Sequence, residues 1–259
     1  VILSPLLDIL SSVATDPRFP LAVAISILAG VVRGFSGFGS ALIFIPLMSA
    51  VYGPQTAAAT FVVIDLAVGA FFVPQVWRKA DFRQILPLAA AAVTAAQFGA
   101  LILLYTEPIW LRWGISALVA IVVIVLASGW RYHGRPILPV TIGVGLLAGL
   151  LGGAVQMSGP PIIVYWLGSA AAAAIVRANF IVYFTIFSAA SVLTYAFRGL
   201  LPPEVLLLAS LIGPLQITAM ALGGRLFHLA SEKTYRRVAY LIVALSAVAA
   251  MPLWDTLLK

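Results

Sequence analysis

Apolar residues run through this chain in long, nearly unbroken stretches, and polar residues cluster where each stretch ends. Ile115 to Gly129 and Val205 to Gly224 contain no charged side chain at all. Runs of this length suit a helix that crosses a hydrocarbon layer about 30 Å thick. Hydropathy separates eight such segments, at residues 20–48, 57–77, 85–105, 109–130, 137–167, 171–197, 203–224 and 238–254. Nothing alternates polar and apolar positions as the strands of a membrane barrel do. The pattern predicts an all-α polytopic membrane protein. Val1 to Ala14 is apolar but too short to span, carries Asp8 and lacks a basic start, so it reads as an interfacial segment rather than a signal peptide.

The first and fifth segments are longer than the rest and glycine-rich at their centres. The first holds Gly34-Phe35-Ser36-Gly37-Phe38-Gly39-Ser40, and the fifth holds Gly152-Gly153 followed by Gln156-Met157-Ser158-Gly159-Pro160-Pro161. Glycine costs about 1 kcal/mol and interior proline about 3 kcal/mol in a helix, so both segments are expected to break inside the membrane. Pro160 or Pro161 suits the first turn of a restarted helix. Broken backbone at that depth is tolerated where it is buried in protein or lines a polar cavity.

The second four segments echo the first four at an offset of 119: Ala29-Gly30 with Ala148-Gly149, Gly34 with Gly153, Phe61 with Phe180 and Gln97 with Gln216. The chain therefore reads as two four-segment repeats in one membrane domain, residues 1–131 and 132–259, each beginning with a broken or re-entrant helix. Duplicated halves are a common plan among secondary transporters.

Composition sharpens the class. Of the 259 residues, 63% are apolar and 9% charged, too little charge to cover a soluble surface. The formal charge of +7 does not imply nucleic acid, because basic residues of membrane proteins gather in cytoplasmic loops. If the broken segments cross the membrane, the loop Lys and Arg divide eight to five. If they are re-entrant, nine gather on one side (Arg78, Lys79, Arg83, Arg131, Arg135, Arg225, Lys233, Arg236, Arg237) against Arg18, Arg112, Arg198 and Lys259. The positive-inside rule favours the second arrangement, with halves of inverted topology. Cysteine is absent, and the membrane interior offers no histidine cluster for a metal, so no cofactor or metal site is expected.

Intramembrane charges cost about 2.5–3.5 kcal/mol each on insertion scales and usually have a function. Asp65 is the one deep acid; it reads either as a proton-coupling group or as half of an ion pair with an arginine. Arg33 abuts the first break, where a helix N-terminus with free N–H groups would also favour an anion. The expected anion site comprises Arg33, the donors Ser36, Gly37, Phe38, Gly39 and Ser40, and an opposing wall of Gln156, Met157, Ser158 and Gly159. Arg177 with Asn179 is a second anchor, Arg177 reading equally as a side chain that snorkels to the interface. Gln97 and Gln216 either donate amides to the same centre or hydrogen-bond between helices. Gly34-Phe35-Ser36-Gly37 also matches the G-x-S-G of rhomboid proteases, but His133 and His228 lie at segment ends, away from any intramembrane serine. No catalytic residue is assigned.

The first break and the following Pro46-Leu47 resemble the first-segment signature of the sulfite exporter TauE/SafE family, in which G-x-G-G-G precedes an apolar stretch and P-x-L. Segment number, halves and length are also similar across nearly the whole chain. Ser40 stands where the family has glycine, and Gln156 to Pro161 replaces a second glycine cluster. The resemblance implies a bacterial inner-membrane transporter that exports, or in some members takes up, sulfite or small organosulfonates. An inside-negative potential drives each anionic charge outward by about 2.3 kcal/mol per 100 mV, so export needs no coupled ion. The expected partners are the small anion and the lipid bilayer, with a homo-oligomer left open. The alternatives are a rhomboid-type protease and a membrane subunit that transports nothing itself.

Overall fold

The computed structural model describes residues 11–13, 15–36, 39–129, 137–167, 173–226 and 232–253, and every regular element among them is helical. The helices are α1 (Phe19–Ser36), α2 (Ser40–Tyr52), α3 (Pro54–Val76), α4 (Phe82–Tyr105) and α5 (Pro108–Ala127), then α6 (Leu138–Val155), α7 (Gly159–Leu167), α8 (Ala173–Phe197), α9 (Pro203–Leu226) and α10 (Glu232–Ala249). Among the described residues six helices, α3, α4, α5, α6, α8 and α9, are long and apolar enough to cross a membrane. At 13 and nine residues, α2 and α7 are too short to do so. The segment Val1 to Ala14 lies outside the described residues except for 11–13.

Both expected breaks occur where the glycines and prolines place them. Helix α1 stops at Ser36 and α2 starts at Ser40; α6 stops at Val155 and α7 starts at Gly159, with Pro160 and Pro161 in its first turn. Each broken pair then doubles back. Arg18, just before α1, donates to the Val51 carbonyl (3.4 Å) and stacks over the Tyr52 ring (4.5 Å) at the end of α2. Asp16 holds that guanidinium at 2.8 Å, and the contact keeps the Asp16 carboxyl below its usual range. In the second pair Thr141, in the first turn of α6, meets the Tyr165 hydroxyl near the end of α7 at 2.6 Å. Each pair is thus a helical hairpin whose two outer ends lie side by side.

The hairpins are clamped by backbone. The most extensive helix contacts are α4 on α6 and α9 on α1. A Cβ placed on Gly34 would lie 1.8 Å from the Met220 carbonyl oxygen, and one on Gly149 would lie 2.0 Å from that of Ala92. Lipid supplies little hydrophobic drive for helices to associate, so close van der Waals approach over small residues carries the packing. Gly30 with Gly34, and Gly145 with Gly149 and Gly153, form such stripes at four-residue spacing.

These contacts follow a spacing different from that of the two glutamines. Gly30 and Gly34 meet the carbonyls of Gln216 and Met220, whereas Gly149 and Gly153 meet those of Ala92 and Ala96. Gln216 thus makes at Gly30 the contact that Ala92, 124 residues earlier, makes at Gly149, and Gln97 lies five residues past Ala92. The packing selects small residues at the crossing and is indifferent to the amides beside it. Gly34→Ala is expected to lower the thermal unfolding temperature of the detergent-solubilised protein by several degrees. Gly143→Ala, where no atom lies within 4 Å of the added carbon, is expected to raise it slightly, since alanine is the better helix former.

Candidate functional site

The two breaks face one cavity. It is lined by Arg33 of α1, Gly39 and Ser40 at the start of α2, Asp65 of α3, Gln156 and Ser158 of the second break, Gly159 and Pro160 of α7, and Phe184, Phe187 and Ser188 of α8. About 50 Å³ is open to the centre of a water-sized sphere, room for roughly three or four waters or one small ion.

The helix ends explain its electrostatics. Gly39, with φ of 93°, turns the chain into α2, and no side chain caps that terminus. The Leu42 N–H is taken by the Gly39 carbonyl, Ser40 and Ala41 at the start of α2 line the cavity, and α7 begins at the same cavity from Gly159. Two helix N-termini together favour negative charge between them. Arg33 lies in the last turn of α1, where the carbonyl end of the helix accommodates a cation.

Arg33 does not stand alone. Its Nη1 donates to Asp65 Oδ1 and, at 3.4 Å, to Ser40 Oγ. Ser188 Oγ donates to the other carboxylate oxygen, Asp65 Oδ2, at 2.6 Å. Asp65 is only 6% exposed, so of its two readings the structure shows the ion pair. A buried carboxylate demands such a partner, because its desolvation is otherwise uncompensated.

The opposite wall is neutral and equally constrained. Gln156 has φ of 54°, the one non-glycine residue with positive φ among those described. Left-handed backbone costs a side-chain-bearing residue about 1–2 kcal/mol. The position is held by hydrogen bonds: Gln156 Nε2 donates to Tyr195 Oη (3.0 Å), and Tyr195 Oη donates to the Gly153 carbonyl (2.8 Å). Phe184 and Phe187 form an apolar shelf beside it, with Phe187 stacked on Tyr183 at 5.9 Å. Gly152 makes room for that shelf, since a Cβ there would lie 2.3 Å from the Phe187 ring.

Of the residues expected from sequence, Arg33, Gly39, Ser40, Gln156, Ser158 and Gly159 come together, with Asp65. Met157 turns away into the apolar core. Gln97 instead donates across to Thr194 Oγ1 of α8 (2.7 Å), and Gln216 accepts from Ser26 of α1 (3.2 Å), so both amides serve helix packing. Asn179 accepts from the Asp81 backbone N–H (2.8 Å) and fixes α8 to the start of α4, while Arg177 is exposed near the start of α8. Neither lines the cavity. Gly37, Phe38, His133 and His228 lie outside the described residues, as does the side chain of Ser36. Sequence reasoning missed Ser188, Tyr195 and the phenylalanine shelf. Ser188 and Tyr195 carried a signal only as hydroxyls in a transmembrane segment, and such residues are common.

Among the described residues, six helices are long and apolar enough to cross a membrane, and the cavity carries Arg33. The model of the sulfite exporter TauE/SafE family matches residues 22–250. The chain belongs to this family. It is 25% identical over 232 residues to a protein of Cupriavidus necator described as "Probable sulfite/organosulfonate exporter TauE", covering 84% of this chain and 88% of that one. No solved structure matches it. Membership of the TauE/SafE family, with six helices among the described residues apolar and long enough to cross a bilayer, makes the protein an integral membrane protein of an exporter family, consistent with the bacterial inner membrane.

The ion pair predicts a particular pattern of stability. Arg33→Ala and Asp65→Ala should each destabilise the protein by about 3–5 kcal/mol, because each leaves a buried charge alone. The double variant should lose markedly less than the sum, measured as thermal or denaturant unfolding in detergent.

Proposed function

We propose that this protein exports small sulfur oxyanions, sulfite or a short organosulfonate, through the cavity at Arg33. The carrying observation is an arginine fork set between the N-termini of two half-helices, within a chain of the TauE/SafE family. A planar guanidinium matches the oxygens of a sulfite or sulfonate, and the helix ends add N–H donors and positive potential. The relative in Cupriavidus necator bears a name with the same substrates. Arg33, Ser40, Gln156, Ser158 and the backbone around Gly39 and Gly159 are assigned to the anion, and Ser36, Gly37 and Phe38 belong with them by their position in the break.

Two halves of inverted topology, residues 1–131 and 132–259, account for the arrangement. Supporting this reading, α1 and α6 are both 18 residues long and begin 119 residues apart, α2 and α7 begin 119 apart, and both pairs fold back as hairpins. The five further residues that separate Ala92 from Gln216 then lie within helices of the second half: α8 is two residues longer than α3, and Gln216 stands three residues further into α9 than Ala92 does into α4.

Reconstituted in liposomes, the protein should carry ethanesulfonate and sulfite. Arg33→Lys should retain a minor fraction of that flux, since lysine lacks the fork. Full flux in Arg33→Lys would remove the guanidinium from the site. Topology is tested apart from transport with cysteines at Gln55 and Glu204, both exposed and near the starts of α3 and α9. In whole cells both should react with an impermeant maleimide from outside; reaction at one alone would mean that the hairpins cross.

A further inference from the structure

We propose that each anion carried by this protein moves together with one proton, held by Asp65. The inference rests on the proposed anion site and goes beyond it, because that reading by itself would let a bare anion leave down the membrane potential.

Charge balance in the cavity calls for the proton. In the structure the cavity is neutral: Arg33 is matched by Asp65, and Asp65 is fixed by Ser188. An anion that enters either displaces the carboxylate from the guanidinium or shares the guanidinium with it. In both cases two negative charges face one positive charge inside a membrane protein. Among the described residues no second cation lines the cavity.

The helices packed against α3 offer no remedy. Arg112 of α5 is bonded to the Ala250 carbonyl, and Arg225 and Glu204 lie at opposite ends of α9. Arg83 stands in the first turn of α4, and Tyr52 ends α2 under the Arg18 guanidinium. In α8, Arg177 is exposed near the helix start and away from the cavity, and Tyr195 is committed to Gln156 and Gly153.

An uncompensated carboxylate in such a place neutralises by taking a proton. The proton is passed on by hydronium in the water that reaches the cavity: its O–H bond breaks, one to a carboxylate oxygen forms as the anion binds Arg33, and neutral water is left. No bond other than that O–H forms, and nothing is oxidised or reduced. The loaded site, counting Arg33, a monovalent sulfonate and a protonated Asp65, is neutral again. The empty site regains its own ion pair when both ligands leave. Ser188, which donates to the carboxylate, becomes an acceptor for the carboxylic acid by rotating its hydroxyl, so the same contact serves both states.

Neutral co-transport and bare-anion transport distribute their cargo differently. Ethanesulfonate is the probe, because its strongly acidic sulfonate brings no proton of its own near neutral pH. In liposomes holding the wild-type protein and a pH-reporting dye, outward flow of ethanesulfonate should raise the internal pH, with one proton leaving per anion. At equilibrium its distribution should follow an imposed pH difference, about tenfold per pH unit, and ignore an imposed potential. A bare anion would instead distribute about 50-fold per 100 mV and ignore pH.

That second pattern would overturn the proposal while leaving the anion site intact. Absence of any ethanesulfonate flux would overturn both. In Asp65→Asn, residual flux should carry no proton and follow the potential; proton movement persisting at one per anion would remove Asp65 from the role. Should that variant fail to fold, the wild-type distribution still decides.

Discussion

A full charge in hydrocarbon has no water to turn to, and the centre of this protein is organised around that fact. Arg33 is placed at depth by a hairpin, and the carboxylate of Asp65, the carbonyl end of α1 and the hydroxyls of Ser40 and Ser188 supply what solvent would have supplied. Breaking α1 from α2 opens backbone N–H groups at the same depth, which is tolerable because the start of α2 lines the cavity. The charge, its counter-charge and the broken helices are parts of one solution.

Such a solution needs a rigid frame, and the frame is made of backbone rather than side chains. Gly30 and Gly34 bring α1 onto α9, and Gly145, Gly149 and Gly153 bring α6 onto α4. Each hairpin is therefore held by a helix from the other half of the chain. The α3–α8 seam closes the middle, where Gly69 admits Thr185 and Asp65 meets Ser188. One face of the cavity is charged and the other is an aromatic shelf. Gly152 is part of that difference, because its missing side chain admits the Phe187 ring.

Much of this was legible in the sequence because bilayer physics writes in large letters. The helical segments, both breaks, and the importance of Arg33 and Asp65 follow from hydropathy, from glycine and proline, and from the cost of charge. What failed was inference from polar identity alone. Gln97 and Gln216 coincide along the chain, yet the helix crossings are set by glycine and alanine five residues out of step with them. Asn179 looked like a ligand and is a brace for the start of α4. The partner of Gln156 is Tyr195, almost forty residues away, and no local pattern joins a left-handed glutamine to a phenol on another helix. Contacts fixed by three-dimensional packing leave no periodic trace.

The ion pair also bears on how the chain is made. Arg33 emerges from the ribosome 32 residues ahead of Asp65, with only α2 and the start of α3 between them. Released into lipid by itself, the end of α1 would present an unpartnered guanidinium; held back until α3 arrives, it enters already neutralised. Insertion of the first hairpin is therefore favoured as one event with α3, and the insertion machinery must shelter a cation for the time that about thirty residues take to synthesise. The second hairpin carries no charge between Leu138 and Leu167 and faces no such delay.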